Sequence, residues 1–348
     1  MFIIDFFTRV IYDICNYKMR GEQMRPTIKK IAEIAGVTHA TVSMVLNDKP
    51  GPSEAMKEKI KKIANELGYV PDINARNLAR GKNNTIGIFL LKFPQKKEDR
   101  IFYYYMELLQ ETMMEARKRG YTLLFFTDED TTRHRVSYAE FCREQNLKTA
   151  LFLSINKHDR NMAELQNLKT TQIILFDVEE TENCNTIISD SYQGIKEMFE
   201  YFKEKNKKNI AIITGSEESG IATQKKIKEI DYFSKEFQIN VEYYEGNFFM
   251  KSGYKIAKKI DTQKFDAIFA MNDAMAVGAM NALIERGIKV PEDIEIIGFD
   301  NLAVTNLIKP KLPSIAHDNL KIVEAFFKII GNEDQIHKIM IPTKFIKS

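Results

Sequence analysis

The sequence lacks the short motifs with which many enzymes bind a nucleotide or activate a nucleophile. It contains no GxGxxG segment, no Walker pattern and no GxSxG segment. Its five histidines lie far apart, without the spacing of metal ligands, and we interpret His158, His317 and His337 as surface or polar-network residues. These absences argue against an enzyme, and we expect no catalytic residue, no metal and no cofactor.

Cysteine is scarce, and no apolar run is long enough to span a membrane. Cys15, Cys142 and Cys184 form no CxxC pair, and their odd count fits free thiols in a reducing cytosol. The apolar start of the chain has no basic region before it and is interrupted by Asp5 and Arg9, so it is a poor export signal. The sequence therefore favours a cytoplasmic protein. An exported solute-binding protein that serves a transporter is the alternative.

Positive charge is concentrated in one short part of the chain. Residues 25–82 hold eleven Lys and Arg against six Asp and Glu, a balance of +5, whereas the whole chain carries +3. A basic patch neutralises DNA phosphates and gives affinity that does not depend on sequence, while contacts to base edges supply the choice of site. A charge run is usually a solvated face, but this one coincides with a helical motif.

That motif, PTIKKIAEIAGVTHATVSMVLN, is typical of a helix-turn-helix. Two helices crossing through a tight turn need a small residue at their contact, a glycine in the turn and a β-branched residue at the interface, and Ala32, Gly36 and Val42 meet these needs. Thr27 and Thr38 are placed to cap the two helices. The alternative is an ordinary helical hairpin. The second helix would turn four side chains toward a DNA groove: His39, Ala40, Ser43 and Met44.

A third helix is expected over residues 53–67, with Ser53 as its cap, and a short polar helix, DINARNLAR, follows Pro71. Isolated helices shorter than about 12 residues are marginal in water, so the short one should form only against a partner copy and DNA. Leu78 is suited to wedging between base steps from the minor groove. A plain linker between domains is the alternative.

From Thr85 onward, short apolar runs such as TIGIFLL and NIAIIT alternate with amphipathic helical stretches, which is the pattern of parallel, doubly wound α/β sheets. Helices are expected, among others, from about residue 133 to residue 144 and over residues 274–286. About 260 residues favour two such subdomains over one. Ligands of open α/β sheets bind outside the carboxyl ends of the strands. Polar or aromatic residues suited to a hydroxyl-rich ligand stand after the expected strands or in a nearby loop: Asp177, Phe248, Asn272, Asp273 and Asp300. For Asp177 and Asp273 a helix cap is the alternative.

These segments together resemble the lactose/galactose repressor (LacI/GalR) family of transcriptional regulators. Residues 26–82 resemble its headpiece through GVTHATVSMVLN, the exit GYVP and NARNLARGK, and the remainder resembles its effector-binding core, which is similar to periplasmic sugar-binding proteins. The resemblance implies a dimeric repressor of carbohydrate-use genes that binds a palindromic double-stranded DNA operator. It also implies a small-molecule effector, a sugar or sugar phosphate. Some relatives use a phosphoprotein corepressor, which this sequence neither requires nor excludes.

The resemblance implies a domain plan. Residues 1–24 would be an extension, either disordered or the product of a mis-assigned start, with a small partner-binding segment as the alternative. Residues 25–71 would be the helix-turn-helix domain, residues 72–82 the hinge helix, and residues 85–348 the effector-binding and dimerisation domain. Its first subdomain would take about 85–187 with 314–327, and its second about 188–313 with 328–348. Three crossovers are expected, near residues 187–190, 313–317 and 320–330.

The resemblance also assigns DNA contacts. His39 and Ala40 would read bases, and Met44 a third position where the family usually has arginine. Because an arginine–guanine pair is worth about 1 to 3 kcal/mol of discrimination, Met44 predicts an operator that differs from the family consensus there. The full set of expected DNA contacts is Thr27, Thr38, His39, Ala40, Thr41, Ser43, Met44 and Asn47 in the headpiece, with Asn74, Ala75 and Leu78 in the hinge.

For the effector, the resemblance favours Asn272 and Asp300, followed by Asp177 and Phe248. Lys225 stands where the family usually has arginine, and lysine keeps the charge but loses the planar fork. The effector could therefore be a sugar, a phosphosugar or a nucleobase-like molecule, or be absent. The three tyrosines of residues 103–105 either line the cleft or belong to the core or dimer face.

Overall fold

A computed structural model describes residues 26–46, 49–69, 84–91, 104–134, 136–155, 159–178, 181–215, 221–332 and 335–347. The chain divides into two compact units between Asn83 and Asn84. Residues 1–24, Asn47, Tyr103 and the expected hinge at residues 72–82 lie outside the described residues.

Residues 26–46 and 49–69, the described part of the first unit, form three helices, α1 (Ile28–Ala35), α2 (His39–Leu46) and α3 (Glu54–Glu66). The Thr27 hydroxyl accepts the Lys30 N–H at 3.3 Å, and Gly36 ends α1 with a positive φ of 71°. Both features match the predicted helix-turn-helix. Ser53 precedes α3 in the extended conformation of a cap, but its side chain makes no capping hydrogen bond. The small core of this unit consists of Ile31, Ala32, Ala35, Val42, Val45, Ile60 and Ala64.

The second unit contains two six-stranded sheets. The first has the order β11-β5-β4-β3-β1-β2, and every pairing in it is parallel. Its strands are β1 (Thr85–Leu90), β2 (Thr122–Thr127), β3 (Thr149–Leu153), β4 (Gln172–Phe176), β5 (Asn185–Asp190) and β11 (Lys338–Pro342). The helices α4 (Tyr105–Lys118), α5 (Asp128–His134), α6 (Tyr138–Glu144) and α7 (Met162–Gln166) connect them.

The second sheet has the order β12-β10-β9-β8-β6-β7 and is parallel except for β12 against β10. Its strands are β6 (Asn209–Thr214), β7 (Asn240–Glu245), β8 (Ala267–Ala270), β9 (Glu295–Asp300), β10 (Ser314–Ala316) and β12 (Lys344–Ile346). The helices of this part are α8 (Tyr192–Glu204), α9 (Ile221–Phe237), α10 (Met250–Ala257) and α11 (Asp273–Glu285), and a short 3-10 helix spans Ala303–Asn306. Helix α12 (Asn319–Ile329) follows β10 in the chain and packs against the first sheet.

Apolar strands buried under helices give each sheet its core, as the continuous apolar runs predicted. One large cluster joins β6, β8 and β9 to α8, α9 and α11. Two smaller clusters cover the opposite faces of the first sheet. The fold is therefore the predicted helical headpiece followed by two α/β subdomains, called here first and second after their sheets. No described helix is long and apolar enough to cross a membrane.

The chain passes between the two sheets three times. The first two passages, after β5 at Ser191 and after β10 at His317, lie next to the predicted places. The third does not, because α12 packs entirely in the core of the first sheet and β11 then pairs with β5. The chain crosses only at Thr343, between β11 and β12.

The expected subdomain bounds change accordingly. Within residues 328–348, expected in the second subdomain, β11 belongs to the first sheet and only β12 to the second. Within residues 314–327, expected in the first subdomain, β10 belongs to the second sheet. β11 escaped prediction because it is a sheet edge whose apolar run, residues 339–341, is only three residues long.

Candidate functional site

The second helix of the headpiece, α2, presents the side chains that were expected to read DNA. Val42 and Val45 are buried, whereas His39 and Ala40 are exposed, and Thr41, Ser43 and Met44 are half-buried. The Thr38 hydroxyl accepts the N–H of Thr41 at 3.2 Å and lies 2.9 Å from the Thr41 hydroxyl. Thr38 therefore caps α2 as predicted, and the exposed start of the helix is available to a base edge.

Two headpiece side chains differ from a simple DNA-facing role. A β-carbon built on Gly51 would lie 3.7 Å from the Met44 sulfur, so the end of Met44 is close to the headpiece's own backbone. The Lys59 ammonium donates to the Ala35 carbonyl at 3.0 Å, at the end of α1. A cation suits that position because the last carbonyls of a helix carry partial negative charge. Part of the positive charge therefore serves the fold.

A second group of polar side chains meets where β4, β5, β9 and β10 end. One Asp177 carboxylate oxygen accepts the Ser189 N–H at 2.7 Å. The Ser189 hydroxyl shares a 2.5 Å hydrogen bond with His317 Nδ1, and His317 Nε2 lies 3.2 Å from an Asp300 carboxylate oxygen. Ser189 belongs to the first sheet and Asp300 to the second, so this line of hydrogen bonds runs from one subdomain to the other. We call this region the cleft; it comprises Asp177, Ser189, Lys226, Asp300 and His317.

Backbone strain marks three residues that the sequence assigned to a ligand. Asp177 has a φ of 55°, Phe248 of 66° and Asp300 of 103°. Residues other than glycine adopt such angles at a cost of about 1 to 3 kcal/mol, and such residues cluster at ligand sites. The strain therefore favours a functional role for these three positions over a purely structural one.

Burial controls the charges in the cleft. It raises the pKa of Asp177, and it raises the pKa of Asp300 to about 7. It also lowers the pKa of His317 to about 3, although the Asp177 charge acts in the opposite direction. Since burial disfavours the charged form of each group, His317 is a neutral imidazole at pH 7 and Asp300 changes its protonation near that pH.

The two neighbouring lysines of α9 have different surroundings. The Lys225 ammonium lies 3.0 Å from an Asp190 carboxylate oxygen at the first crossover, so the predicted ligand residue contacts the chain itself. Lys226, which the sequence reasoning missed, places its ammonium 3.6 Å from the centre of the Phe299 ring. Burial lowers the pKa of Lys226, while Asp300 and Asp177 act in the opposite direction. The sequence contains one signal for Lys226, the pair of adjacent lysines. Successive side chains on a helix point about 100° apart, so the two lysines meet different surroundings.

The side chain of Lys226 is half-buried, and its contact with the Phe299 ring compensates only in part for the water that the ammonium has lost. A cation over an aromatic face gains about 0.5 to 2 kcal/mol. The effective penalty for removing an ammonium from water is several kcal/mol. A negative charge next to the Lys226 ammonium would therefore stabilise it further.

Asn272 and Phe248 contact each other. The Asn272 side chain accepts the Met275 N–H at 2.9 Å as the cap of α11, and its amide donates to the Phe248 carbonyl at 2.8 Å. Asn272 therefore fixes the loop that carries Phe248. Asp273 accepts from the Ser314 hydroxyl at 2.6 Å and the Leu302 N–H at 2.7 Å, so it joins β10 to the chain after β9.

Tyr104 and Tyr105, at the start of α4, differ in whether they contact the cleft. The Tyr104 ring stacks on His317 with centroids 4.0 Å apart, and its hydroxyl donates to Asn319 at 2.8 Å. Tyr105 packs edge-on against Phe176, 5.9 Å between centroids, beside the core of the first subdomain. Tyr104 therefore belongs to the core of the first subdomain and also contacts the cleft through His317, whereas Tyr105 packs beside that core.

The space left in this region is small. A cavity of about 30 Å³ is lined by Asp177, Ile188, Ser189, Ser191, Ala222, Lys225, Lys226 and His317. That volume holds about one water molecule, so a larger ligand needs the subdomains or side chains to move apart. Across the described part of the chain no group of His, Cys, Asp and Glu could hold a metal ion.

Comparison with known proteins gives two family matches. Residues 27–72 match the family described as bacterial regulatory proteins, lacI family, and residues 199–346 match the periplasmic binding protein-like domain. The first match covers the helix-turn-helix, and the second covers most of the second subdomain with α12 and β11.

Individual proteins are similar over nearly the full length. A probable HTH-type transcriptional repressor, ExuR, of Bacillus subtilis (strain 168) is 29% identical over 334 residues, which cover 92% of this chain and 96% of that protein. The ribose operon repressor of Escherichia coli (strain K12) is 27% identical over 323 residues, 91% and 94% of the two chains. A crystal structure of the lac repressor dimer bound to operator and the anti-inducer ONPF has a TM-score of 0.78 at 20% identity, covering 92% of this chain and 98% of that one.

Proposed function

We propose that the chain, which belongs to the lacI family of bacterial regulatory proteins, is a dimeric repressor. A small molecule bound in the cleft controls its affinity for a palindromic operator. The protein is a DNA-binding transcriptional regulator. We place it in the cytoplasm and give it no catalytic step. The names of the relatives, one of them a ribose operon repressor, support carbohydrate-use genes as targets and a sugar or sugar derivative as effector.

One observation carries the effector part of the proposal. Asp177, Ser189, His317 and Asp300 form a continuous line of hydrogen bonds between two sheets, at the ends of parallel strands and next to two crossovers. A ligand that enters this line must replace bonds that hold the subdomains together. Its binding energy therefore depends on how the subdomains are arranged, which is the requirement for an effector to shift one arrangement against another.

Exposed apolar side chains support a dimer. Met113 and Met114 on α4 are 53% and 52% exposed, and Leu124 and Phe125 on the edge strand β2 are 36% and 42% exposed. Large apolar side chains exposed on neighbouring elements are typical of surfaces that another protein covers. A dimer also fits the reading of DNA, since one headpiece reads half a site and two read half-sites related by symmetry.

Binding-site selection on random duplex DNA, with and without a panel of metabolites, tests the proposal. We expect a palindromic motif whose enrichment one metabolite changes. Ala40→Glu adds a negative charge at the exposed start of α2 and should abolish the enrichment. Asn65→Glu adds the same charge on the exposed side of α3 and should preserve the motif. If the protein binds a metabolite but selects no motif, the proposal fails and a transport receptor takes its place.

A further inference from the structure

Lys226 is a cleft cation without an ion-pair partner among the described residues. Within the described part of the chain its ammonium has no hydrogen bond and no carboxylate within 4.0 Å. The adjacent Lys225 pairs with Asp190. The Lys226 side chain lines the small cavity together with Asp177, Ser189 and His317, so it faces the space that a ligand would enter.

The nearest acids are already engaged. Asp177 accepts the Ser189 N–H, and Asp300 contacts His317 Nε2. Glu229, one helical turn further along α9, accepts the Ser191 hydroxyl at 2.5 Å. Each of these three acids stabilises the Lys226 ammonium only from a distance. Burial therefore still lowers the pKa of Lys226.

We infer that the effector is a small polyhydroxylated anion whose carboxylate or phosphate group is held by Lys226, while Asp300 and Asp177 accept its hydroxyl groups. This inference rests on the proposed function, because it names the ligand class of the same cleft. A neutral sugar would exclude water from the ammonium and supply no counter-charge. An anionic group supplies both the charge and strong hydrogen-bond acceptors.

Calorimetric titration of the full-length protein tests the inference. The probes are three matched sets built on glucose, galactose and ribose, each containing the neutral sugar, its sugar acid and its terminal phosphate. We expect one anion to bind at least about 30-fold more tightly than its neutral parent. The acid and phosphate members of each set show which anionic group the site accepts.

Two variants connect that preference to the residue. Lys226→Met keeps the length of the side chain, removes the charge and should weaken binding of the anion by about 30-fold or more while changing any binding of the neutral sugar by less than about 3-fold. Lys228→Met, at an exposed position of the same helix, should leave both affinities unchanged. Lys226→Met should melt no lower than the wild type, since it removes a poorly compensated charge, so a loss of binding would not reflect misfolding.

Three results overturn the inference: a neutral sugar that binds as tightly as its anionic partners, an anion whose affinity Lys226→Met leaves unchanged, or no binding by any of the probes. Each of these results counts against the inference only if the wild-type protein also selects an operator motif. If the protein selects no motif, the proposed function itself has failed, and the two failures are thereby distinguished.

Discussion

Asp300 combines the backbone strain, the burial and the hydrogen bonding of the cleft. Its φ is 103°, its side chain is 14% exposed, and it contacts His317 at 3.2 Å. When Asp300 is ionised, it accepts from His317 Nε2, and the Ser189 hydroxyl donates to Nδ1. When it is protonated, it donates to Nε2, and Nδ1 then donates to Ser189. Protonation of Asp300 thus reverses both hydrogen bonds of the neutral imidazole.

Asp300→Asn tests this account through the pH dependence of stability. Burial raises the pKa of Asp300 from 3.8 to about 7, so the folded protein holds a proton that the unfolded chain has lost. The stability that this proton supplies is fully present below pH 3.8, the unfolded pKa, and is lost as the pH rises to about 7. Asparagine can serve His317 as donor or acceptor and does not titrate. We expect the variant to gain about 1 to 4 kcal/mol relative to the wild type between pH 5 and pH 8, measured by urea unfolding.

The control is Asp293→Asn, at an exposed site where the side chain accepts the Lys289 N–H at 2.8 Å and asparagine can do the same. Its stability should follow that of the wild type across this pH range. Parallel curves for Asp300→Asn and the wild type would contradict the assigned protonation of Asp300.

Met44 is predicted to contact one base pair of the operator. Methionine offers only apolar contact, whereas arginine donates two hydrogen bonds to guanine. Met44→Arg should shift the selected motif toward guanine at one symmetric pair of positions, with a change in preference of about 10- to 100-fold, equivalent to about 1 to 3 kcal/mol. Binding-site selection on both proteins measures it, and identical motifs would show that Met44 does not read DNA.

At the scale of elements, helix α9 and the strand crossovers form one connected structure. Lys225 contacts Asp190, and Glu229 contacts Ser191, so two turns of α9 hold the first crossover. Thr343, at the third crossover, donates its N–H and its hydroxyl to the Asp190 carbonyl at 2.8 and 3.0 Å. The segments that must bend when the subdomains move are therefore joined to the helix that carries Lys226.

Ser191→Ala measures the strength of that connection. It leaves the buried Glu229 carboxyl without its hydroxyl donor, which should cost about 1 to 3 kcal/mol of unfolding free energy. Burial raises the pKa of Glu229 and the Ser191 hydrogen bond lowers it, so the loss should be larger at pH 8 than at pH 5. Adding Glu229→Gln should recover part of the loss in a double-mutant cycle.

Ser234→Ala is the matched control. Ser234 is buried like Ser191, but it lies on α9 and donates at 2.9 Å to the Asp231 carbonyl of its own helix. It should cost less than Ser191→Ala. Equal losses would mean that the connection to the crossover contributes nothing specific.

The elements also show which parts of this fold a sequence can predict. Helix α11 was expected over residues 274–286 and spans Asp273–Glu285, because its apolar side chains and its Asn272 cap act within a few residues. One helix expected from about residue 133 to residue 144 is two, α5 and α6, with Ser137 accepting the Glu140 N–H at 3.2 Å as a new cap. Local patterns predict where a buried strand or helix lies. An edge strand such as β11 is instead defined by its partner β5, 152 residues away at its last pair, Pro342 and Asp190.

The cleft residues also divide into those that local sequence patterns predict and those that depend on distant partners. Strand ends predicted Asp177 and Asp300, since the carboxyl ends of parallel strands meet at one edge. Lys225 and Lys226 could not be told apart, because the phase of α9 depends on packing against residues far away in the sequence. His317 was interpreted as a surface or polar-network residue, and its contacts to Ser189 and Asp300 confirm a polar network but place it in the cleft.

At the scale of the whole molecule, information about the effector must reach DNA through residues 72–82, which join the two units and lie outside the described residues. The cleft and the DNA-reading helix belong to different units, so neither contains the switch alone. A helix of about nine residues is marginal in water, and a second copy together with a bent duplex would supply the contacts that it lacks. The chance that it forms then depends on the spacing of the two subunits, which the effector biases only through differential affinity.

Amide hydrogen exchange of the full-length protein tests this coupling. Residues 72–82 should exchange rapidly in the free protein and with non-specific duplex, and about 10-fold or more slowly in complex with the selected operator, since protection reports the free energy of local opening. Amides within α1 to α3, which surround the headpiece core, should be protected in all three states and serve as the internal reference. The effector should remove the protection if it releases DNA and increase it if it promotes binding. Equal protection of residues 72–82 in the free protein and in the complex would mean that this segment is already folded, and the link between cleft and operator would have to lie elsewhere.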